Sequence, residues 1–361
     1  MRITKSFPYI FSAALLIIMI LYPASAINNA KNALAAWWET VLPSLLPFIM
    51  LSGLLINSGY VGRIASYIAP AASHIFSLPG EGGLAIILGW ICGYPGGAKI
   101  IAQLMDNGSL NLTQAKCALA AASCPGPMFM LGTVAAGFLA APTLGPYIMA
   151  SCYIGAVICG VAARVALKPV ASRNFSATAI KNNGGDIAAS SMQAMLTVCG
   201  YMVMFSVIYG ALEHIGFFKL IAGDTTEGLQ GMVRPLSTGL LEVAAGCMQL
   251  GRASLPIYTK AVLAAAIAGG GGLSVLLQQK AMLGGRISLA YMAGIKLLHF
   301  ISSGLVCVAA IAIFPPALPV SAAPYNASIS TLSFSAAAFA VCTFIAAMML
   351  FLPRRKSRSS R

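Results

Sequence analysis

The sequence predicts an all-α polytopic membrane protein, and three observations support this prediction. Apolar side chains make up 59% of the 361 residues, whereas charged side chains make up 8%, about a third of their share in a typical soluble protein. The apolar stretches are long and continuous, as in transmembrane helices. They lack the alternation of polar and apolar residues that marks the strands of a transmembrane barrel. A water-soluble globular protein is therefore excluded.

The first apolar segment covers residues 7–27 and follows Arg2 and Lys5. It ends in small residues at 24–26, which resemble the cleavage site of a secretory signal peptide. The segment is longer than the apolar region of a signal peptide, and more membrane segments follow it. An uncleaved first transmembrane helix is therefore the favoured interpretation, and the sequence leaves open whether residues 1–26 are removed.

Later apolar segments follow in order, and several are too short or too interrupted by Gly and Pro to be simple spans. They cover residues 41–57, 64–78, 84–103, 114–140, 147–167, 190–212, 235–250, 256–283, 288–313 and 333–352.

One polar, basic and glycine-containing stretch, residues 168–187, is a convincing linker and divides the chain into two halves. The predicted organisation is a first transmembrane helix at 1–30, a first repeat at 31–167, the cytoplasmic linker at 168–187, an inverted second repeat at 188–313, and an outer loop, last transmembrane helix and basic cytoplasmic tail at 314–361.

The net charge of +14 is a topology signal rather than a nucleic-acid surface, because the basic residues lie singly between apolar segments, apart from one cluster at 354–361. Lys and Arg collect on the cytoplasmic side of bacterial membrane proteins. This rule places Lys280, Arg286, Lys296 and the basic cluster 354–361 on that side. It places the uncharged residues 314–331 and the acidic residues 213–227 outside. We therefore expect an integral protein of a bacterial cell membrane with both termini in the cytoplasm.

The same order of features occurs in both halves. An opening helix (44–57 or 190–212) is followed by two interruptions that lie about thirty residues apart. The positive-inside rule points the opening helices in opposite directions, one towards Arg63 inside and the other towards Glu213 outside. Inverted repeats with interrupted helices that meet near the midplane are typical of secondary transporters.

The first interruption, around Gly93, Tyr94, Pro95 and Gly96, combines a turn with an aromatic ring and the ammonium of Lys99. A helix that restarts after such a break presents unpaired N–H groups and a partial positive charge, which suits a carboxylate. Tyr94 is expected to stack on a planar ligand and Lys99 to pair with an anionic group. A tight turn between spans, with Lys99 reaching to the membrane interface, is the alternative.

The second interruption contains Ser123, Cys124, Pro125 and Gly126, followed by a second proline. Proline and glycine here leave backbone groups without helical partners. We predict a hairpin tip with exposed amides, and a structural kink is the alternative.

The second half contains two counterparts. Glu242 lies in an otherwise apolar helix, where burial of a carboxylate costs at least about 3 kcal/mol. It is a candidate for binding a coupling ion, a proton or the solute, or for a salt bridge with Lys99. Gly270, Gly271 and Ser274, with Gln278 and Gln279 nearby, predict the second hairpin tip, for which a flexible loop is the alternative.

Motifs of common enzymes and pumps are missing. The sequence contains no phosphate-binding loop, no nucleophile elbow and no metal-ligand spacing, and its nine cysteines are scattered through apolar segments, as packing residues are. We expect neither catalytic residues nor a metal site, and no cofactor other than a coupling ion, H⁺ or Na⁺.

Four blocks of the sequence, at residues 37–48, 93–99, 124–127 and 239–242, resemble the YlbJ-type sporulation integral membrane proteins, which carry a nucleoside recognition or Gate domain. The resemblance covers roughly residues 30–310. It implies broken helices or re-entrant hairpins, an architecture similar to concentrative nucleoside transporters, and movement of dipicolinic acid across the outer forespore membrane. It also implies that the residues around Gly93, the tip at 123–126 and Glu242 bind the solute.

The expected function is secondary transport of a small carboxylated aromatic solute, dipicolinic acid, by alternating access. The expected partners are that solute and the lipid bilayer, and we expect no nucleic acid. The sequence leaves open whether the protein forms a homo-oligomer. A transporter of nucleoside-like solutes and a non-transporting sporulation scaffold are the alternatives. A membrane enzyme acting on lipid-linked substrates is a further one, although Glu242 has no obvious acidic partner.

Overall fold

The computed structural model of the protein describes residues 13, 16–57, 61–170, 186–222 and 228–316. Regular structure within these ranges is helical throughout. The predicted last transmembrane helix, the basic tail and most of the linker lie outside the described residues. The helices are α1 (Pro23–Ala36), α2 (Leu42–Asn57), α3 (Val61–Phe76), α4 (Gly80–Asp106), α5 (Leu112–Ala122), α6 (Gly145–Leu167), α7 (Ile187–His214), α8 (Phe217–Ala222), α9 (Gly228–Leu241), α10 (Val243–Arg252), α11 (Ile257–Gly270), α12 (Gly272–Met282) and α13 (Leu289–Ile313).

Several stretches have the length and composition of membrane spans, which confirms the prediction of an all-α polytopic membrane protein. Within the described residues, five stretches qualify by these two criteria, and a sixth is the bent pair formed by α1 and α2. A π-helical turn, Trp37–Val41, joins that pair. The five stretches are Gly80–Asp106, Pro142–Leu167, Ile187–His214, Ile257–Met282 and Leu289–Ile313.

Helix α4 is long enough to span but folds back on itself at Gly93. A Cβ atom added to Gly97 would lie 3.1 Å from the Cα atom of Gly89, whereas residues eight apart in a straight helix are separated by about 12 Å. The reversal occurs where Gly93 adopts a φ of 75° and a ψ of −176°. Residues 80–106 are therefore a re-entrant hairpin, here called hairpin 1.

Helices α9 and α10 form a second re-entrant hairpin, here called hairpin 2. A Cβ atom added to Gly246 would lie 2.7 Å from the backbone nitrogen of Gly239, although residues seven apart in a straight helix are separated by about 10 Å. The reversal occurs at Glu242, whose backbone is extended. Both hairpins bring glycines to the contact between their arms, so the two backbones can approach closely.

Helix α5 continues through an extended break, residues 123–126, into a π-helical segment, Phe129–Phe138. The two parts run in one direction along α6. The Cys117 thiol lies 3.6 Å from the carbonyl oxygen of Gly160, and a Cβ atom on Gly145 would lie 3.2 Å from that of Ala135. This unit, crossing helix 1, is therefore one interrupted span.

Helices α11 and α12 are separated by the left-handed residue Gly271 and form crossing helix 2. They run antiparallel to α13. A Cβ atom on Gly304 would lie 3.3 Å from that of Ala266, and the Lys280 ammonium donates to the carbonyl oxygen of Ile287 at 2.8 Å, just before α13 begins.

These contacts correct one prediction from the sequence. Residues 123–126 and 270–271 were expected to form hairpin tips, but both are interruptions of helices that continue onward. The hairpin tips lie at Gly93 and Glu242 instead. Local sequence marks all four breaks in the same way, with Gly, Pro or an isolated acid, and only the packing of the flanking arms distinguishes a reversal from a kink.

The two hairpins enter from opposite ends of crossing helix 1. Hairpin 1 ends at Asp106, next to the start of α5 at Leu112. Hairpin 2 ends near Gly251, which packs against the carbonyl of Phe138 at the other end of the same crossing helix. An ion pair of 2.6 Å between Arg286 and Asp106 ties the turn before α13 to the end of hairpin 1. The division into two inverted repeats stays a prediction.

Candidate functional site

A cavity lies between the tips of the two hairpins. Its volume is about 100 Å³, whereas one water needs about 10–15 Å³ on the same measure, so it has room for a small solute. Residues from both hairpins, both crossing helices, α2 and α7 line it. They are Val41, Ser44, Leu45, Ile91, Gly93, Tyr94, Pro95, Pro125, Gly126, Pro127, Met128, Phe129, Thr133, Val198, Met202, Glu242, Val243, Ala244, Val275 and Gln278.

The first hairpin tip touches the break of crossing helix 1. A Cβ atom on Gly93 would lie 3.1 Å from the backbone nitrogen of Gly126, and the positive φ of Gly93 already disfavours any side chain. The tip therefore depends on glycine twice, for its backbone conformation and for this approach. Two helix N-termini result at one wall of the cavity, one at Tyr94 and the other at Pro127.

Glu242 forms the second hairpin tip. Its carboxylate accepts a hydrogen bond from the backbone N–H of Ala245 at 2.6 Å and so caps the N-terminus of α10. A negative group is favourable there because the helix end carries a partial positive charge. Among the described residues the Glu242 carboxylate has no ion-pair partner, so the alternative of a salt bridge with Lys99 is not realised.

Behind the cavity, side chains satisfy the carbonyl groups that the breaks leave open. The Tyr94 hydroxyl donates to the carbonyl oxygen of Ala268, in the last turn of α11. The Trp90 indole donates to the carbonyl oxygen of Ala121 at 2.7 Å, in the last turn of α5. The last carbonyl groups of a helix lack intrahelical partners, and at membrane depth each would otherwise be costly.

A second layer joins hairpin 1 to both crossing helices. The Gln279 amide nitrogen donates to the Ser123 hydroxyl oxygen at 2.7 Å and to the carbonyl oxygen of Tyr94 at 3.2 Å. Gln279 is 1% exposed, so this amide is a structural element of the interior. It connects α12 with the tip of hairpin 1 and with the break of crossing helix 1.

Lys296 is the functional candidate that sequence reasoning missed. It was assigned to a cytoplasmic boundary, but its side chain is 5% exposed. Its ammonium lies 4.2 Å from the centre of the Tyr94 ring. The available signal was a lysine in the interior of the apolar helix α13, rather than in the loop before it.

The predicted site residues divide into three groups. Six of them line the cavity: Gly93, Tyr94, Pro95, Pro125, Gly126 and Glu242. Five others are buried next to it without lining it: Gly96, Ser123, Cys124, Gly271 and Ser274. The remaining two, Gly270 and Lys99, do not line the cavity. Gly270 packs against Phe300.

Lys99 points away from the cavity. Its ammonium donates to the carbonyl oxygen of Ser190 at 2.7 Å, in the first turn of α7, and lies 3.4 Å from the Ser191 hydroxyl. Lys99 therefore links the second arm of hairpin 1 to α7 and does not line the cavity. Its expected pairing with an anionic solute stays a prediction that this geometry does not support.

The stacking on a planar ligand that is expected for Tyr94 also stays a prediction. Tyr94 lines the cavity but is 6% exposed, and its hydroxyl is already engaged by Ala268. The aliphatic side chains of Leu45, Val198 and Met202 are better placed to enclose a flat solute, because they form the part of the wall contributed by α2 and α7.

Two comparisons with known proteins agree with the resemblance seen in the sequence. Residues 38–204 match the family model named Gate, described as nucleoside recognition. Over 289 aligned residues the chain is 27% identical to the sporulation integral membrane protein YlbJ of Bacillus subtilis. The alignment covers 72% of this chain and 71% of YlbJ. No solved structure matches the chain. The resemblance to Gate-containing sporulation membrane proteins is thereby confirmed.

Proposed function

We propose, on the premise that residues 38–204 carry a nucleoside recognition (Gate) domain, that the protein is a secondary transporter of a small carboxylated aromatic solute. Dipicolinic acid is the solute that we propose, and alternating access between two inverted halves is the mechanism. In this account the outer forespore membrane is the site of action. The single observation that carries the proposal is the cavity between two hairpin tips that enter from opposite ends of crossing helix 1.

Alternating access requires one site that two moving parts share. Both parts of the chain contribute to the cavity wall: hairpin 1 and crossing helix 1 precede the linker in sequence, whereas hairpin 2 and α12 follow it. A shift of either hairpin tip relative to the opposite half would open the cavity towards a different face of the membrane. A scaffold protein has no need of interrupted backbone at this depth, which is costly to bury.

Three helix N-termini favour an anionic solute. They begin at Tyr94, Pro127 and Val243, and all three residues line the cavity. Glu242 already places one carboxylate at the third of these ends, which supports a carboxylate as a ligand of the other two. Dipicolinate is a planar dianion whose two carboxylates suit the other two ends, and the buried ammonium of Lys296 behind Tyr94 adds positive potential.

A nucleoside-like solute is the second candidate, and Glu242 favours it. The Glu242 carboxylate is the one formal charge among the cavity-lining residues. It would accept hydrogen bonds from sugar hydroxyls, whereas it would repel a dianion unless it is protonated. The sign of the Glu242 effect on binding therefore separates the two solutes.

Equilibrium binding to the purified chain in lipid nanodiscs tests the proposal. Labelled dipicolinate and labelled uridine are titrated separately, and benzoate serves as a competitor with a single carboxylate. We expect saturable dipicolinate binding that benzoate displaces only weakly. Binding of uridine alone would transfer the assignment to the nucleoside class, and binding of neither solute would contradict a solute site in this cavity.

A further inference from the structure

The two crossing helices each end a helical run inside the protein, and their last carbonyl oxygens converge. Helix α5 ends at Ala122 and is capped by Ser123, whereas α11 ends at Gly270. The C-terminal end of a helix carries a partial negative charge. Two such ends that face each other create a local site of negative potential without any carboxylate.

The Lys296 ammonium occupies this site. It donates to the carbonyl oxygen of Ser123 at 2.9 Å and lies 3.3 Å from the carbonyl oxygen of Gly269. The face of the Tyr94 ring, 4.2 Å away, is a third neighbour that favours a cation. The charge is thus surrounded by backbone oxygens and an aromatic ring.

No carboxylate balances this buried charge among the described residues, because the two ion pairs found there join Arg234 with Glu213 and Arg286 with Asp106. A charged side chain at membrane depth without an ionic partner is costly and is a functional candidate for that reason. A small cavity of about 10 Å³, lined by Lys296, Ser123 and Gln279, adjoins the ammonium. That volume is close to the minimum for one water.

Main-chain carbonyl oxygens at the ends of interrupted helices are the ligands with which transporters bind a coupling cation. Here the ammonium group of Lys296 lies between two such helix ends. We propose that Lys296 is a built-in substitute for a monovalent metal cation. The wild-type protein then binds neither Na⁺ nor K⁺ between the two helix breaks, and removal of the ammonium opens this place to an alkali cation.

The inference rests on the surroundings of Lys296 and is independent of the solute proposed above. It narrows the choice of coupling ion, because Na⁺ binding at the two breaks is excluded while the lysine is charged. The test therefore uses no solute, and its failure would leave the proposed transport function untouched.

The experiment measures thermal unfolding of the purified full-length chain in detergent. Lys296→Ala is compared with the wild type in NaCl, KCl and choline chloride at equal ionic strength. We expect a saturable rise in the unfolding midpoint of Lys296→Ala with Na⁺ or K⁺, by about 2 °C at a tenfold excess over the dissociation constant. The wild type and Lys296→Arg should unfold at the same temperature in all three salts.

Lys260→Ala is a matched control, because the Lys260 ammonium also donates to a carbonyl oxygen in the last turn of a helix, that of Gly251, at 3.0 Å. Within the part of the chain that the structure describes, the Lys260 ammonium meets one such carbonyl rather than two, so no alkali-specific rise is expected. A folded Lys296→Ala protein without an alkali-specific rise would overturn the proposal. If Lys296→Ala gives no folded protein, the unfolding midpoints of the wild type in the three salts are the test. Equal midpoints support the proposal, and a saturable rise with Na⁺ or K⁺ overturns it.

Discussion

At the scale of single residues, the interior is held together by side chains that satisfy interrupted backbone. Tyr94, Trp90, Gln279 and Lys296 each donate to a carbonyl group at a break. None of them is a surface residue, and each comes from a different segment of the chain than the carbonyl group that it satisfies. Three of these carbonyl groups lie at a break of a crossing helix, and the fourth lies at the tip of hairpin 1. The breaks are therefore stabilised by tertiary contacts rather than by local sequence.

The hydroxyl of Tyr94 gives the first prediction. Tyr94→Phe leaves the buried carbonyl oxygen of Ala268 without its donor, so the free energy of unfolding should fall by about 1–3 kcal/mol. Thermal or denaturant unfolding in detergent measures this loss. Tyr67→Phe is the control, because Tyr67 is 86% exposed, and its effect should stay within about 0.5 kcal/mol. Equal effects of the two substitutions would contradict a structural role for the Tyr94 hydroxyl.

Glu242 gives a prediction whose sign identifies the solute. Glu242→Gln keeps an acceptor for the Ala245 N–H but removes the negative charge from the cavity. Binding of dipicolinate should tighten, because a like charge is removed. Binding of a nucleoside should weaken by roughly 10- to 150-fold, because a charge-assisted hydrogen bond of roughly 1.5–3 kcal/mol is lost. Asp106→Asn, which breaks an exposed ion pair outside the cavity, should change neither affinity. Weaker dipicolinate binding by Glu242→Gln would contradict the anionic-solute account.

Lys99 gives a negative prediction. Because its ammonium bonds to Ser190 and does not line the cavity, Lys99→Ala should leave the dissociation constant for the solute unchanged within about twofold, while the unfolding midpoint falls. The same titration and unfolding measurements test both parts. A large loss of affinity at unchanged stability would show that Lys99 reaches the solute in another conformation.

At the scale of elements, the sequence predicts where helices break but not how the chain continues afterwards. Proline and glycine around 93–97 and 123–127 remove helical hydrogen bonds, so both breaks were predictable. The hairpin at Gly93 depends on the close contact between Gly89 and Gly97, which is a property of the folded arms. The burial of Lys296 could not be predicted for a similar reason, because hydropathy does not show which face of α13 packs against the two helix breaks.

The hairpin tip gives a prediction at this scale. Gly93 and Gly108 have nearly equal positive φ angles, 75° and 74°, but only the Cβ atom of an alanine at 93 would meet other atoms, at 3.1 Å from Gly126. Gly93→Ala should therefore destabilise the protein more than Gly108→Ala and should also weaken solute binding. Unfolding midpoints and solute titrations of the two variants measure the difference. Equal results would contradict a special requirement for glycine at the hairpin tip.

At the scale of the whole molecule, the hairpins enter from opposite ends of crossing helix 1, and an inverted arrangement predicts that these ends face opposite sides of the membrane. Single cysteines at Ser109, after hairpin 1, and at Ser254, after hairpin 2, should react with an impermeant maleimide from opposite sides of the membrane. The eight cysteines among the described residues are buried, and Cys342→Ser removes the ninth. Labelling of both positions from the same side would contradict an inverted arrangement.

The central claim is that a solute binds between the hairpin tips and is carried from one face of the membrane to the other. Counterflow in proteoliposomes tests this most directly. Vesicles containing the wild-type protein are loaded with unlabelled dipicolinate and diluted into labelled dipicolinate. Because a carrier exchanges solutes through one alternating site, we predict a transient accumulation of label above its external concentration, which protein-free vesicles lack. Absence of accumulation with dipicolinate and with nucleosides alike would contradict a transport function.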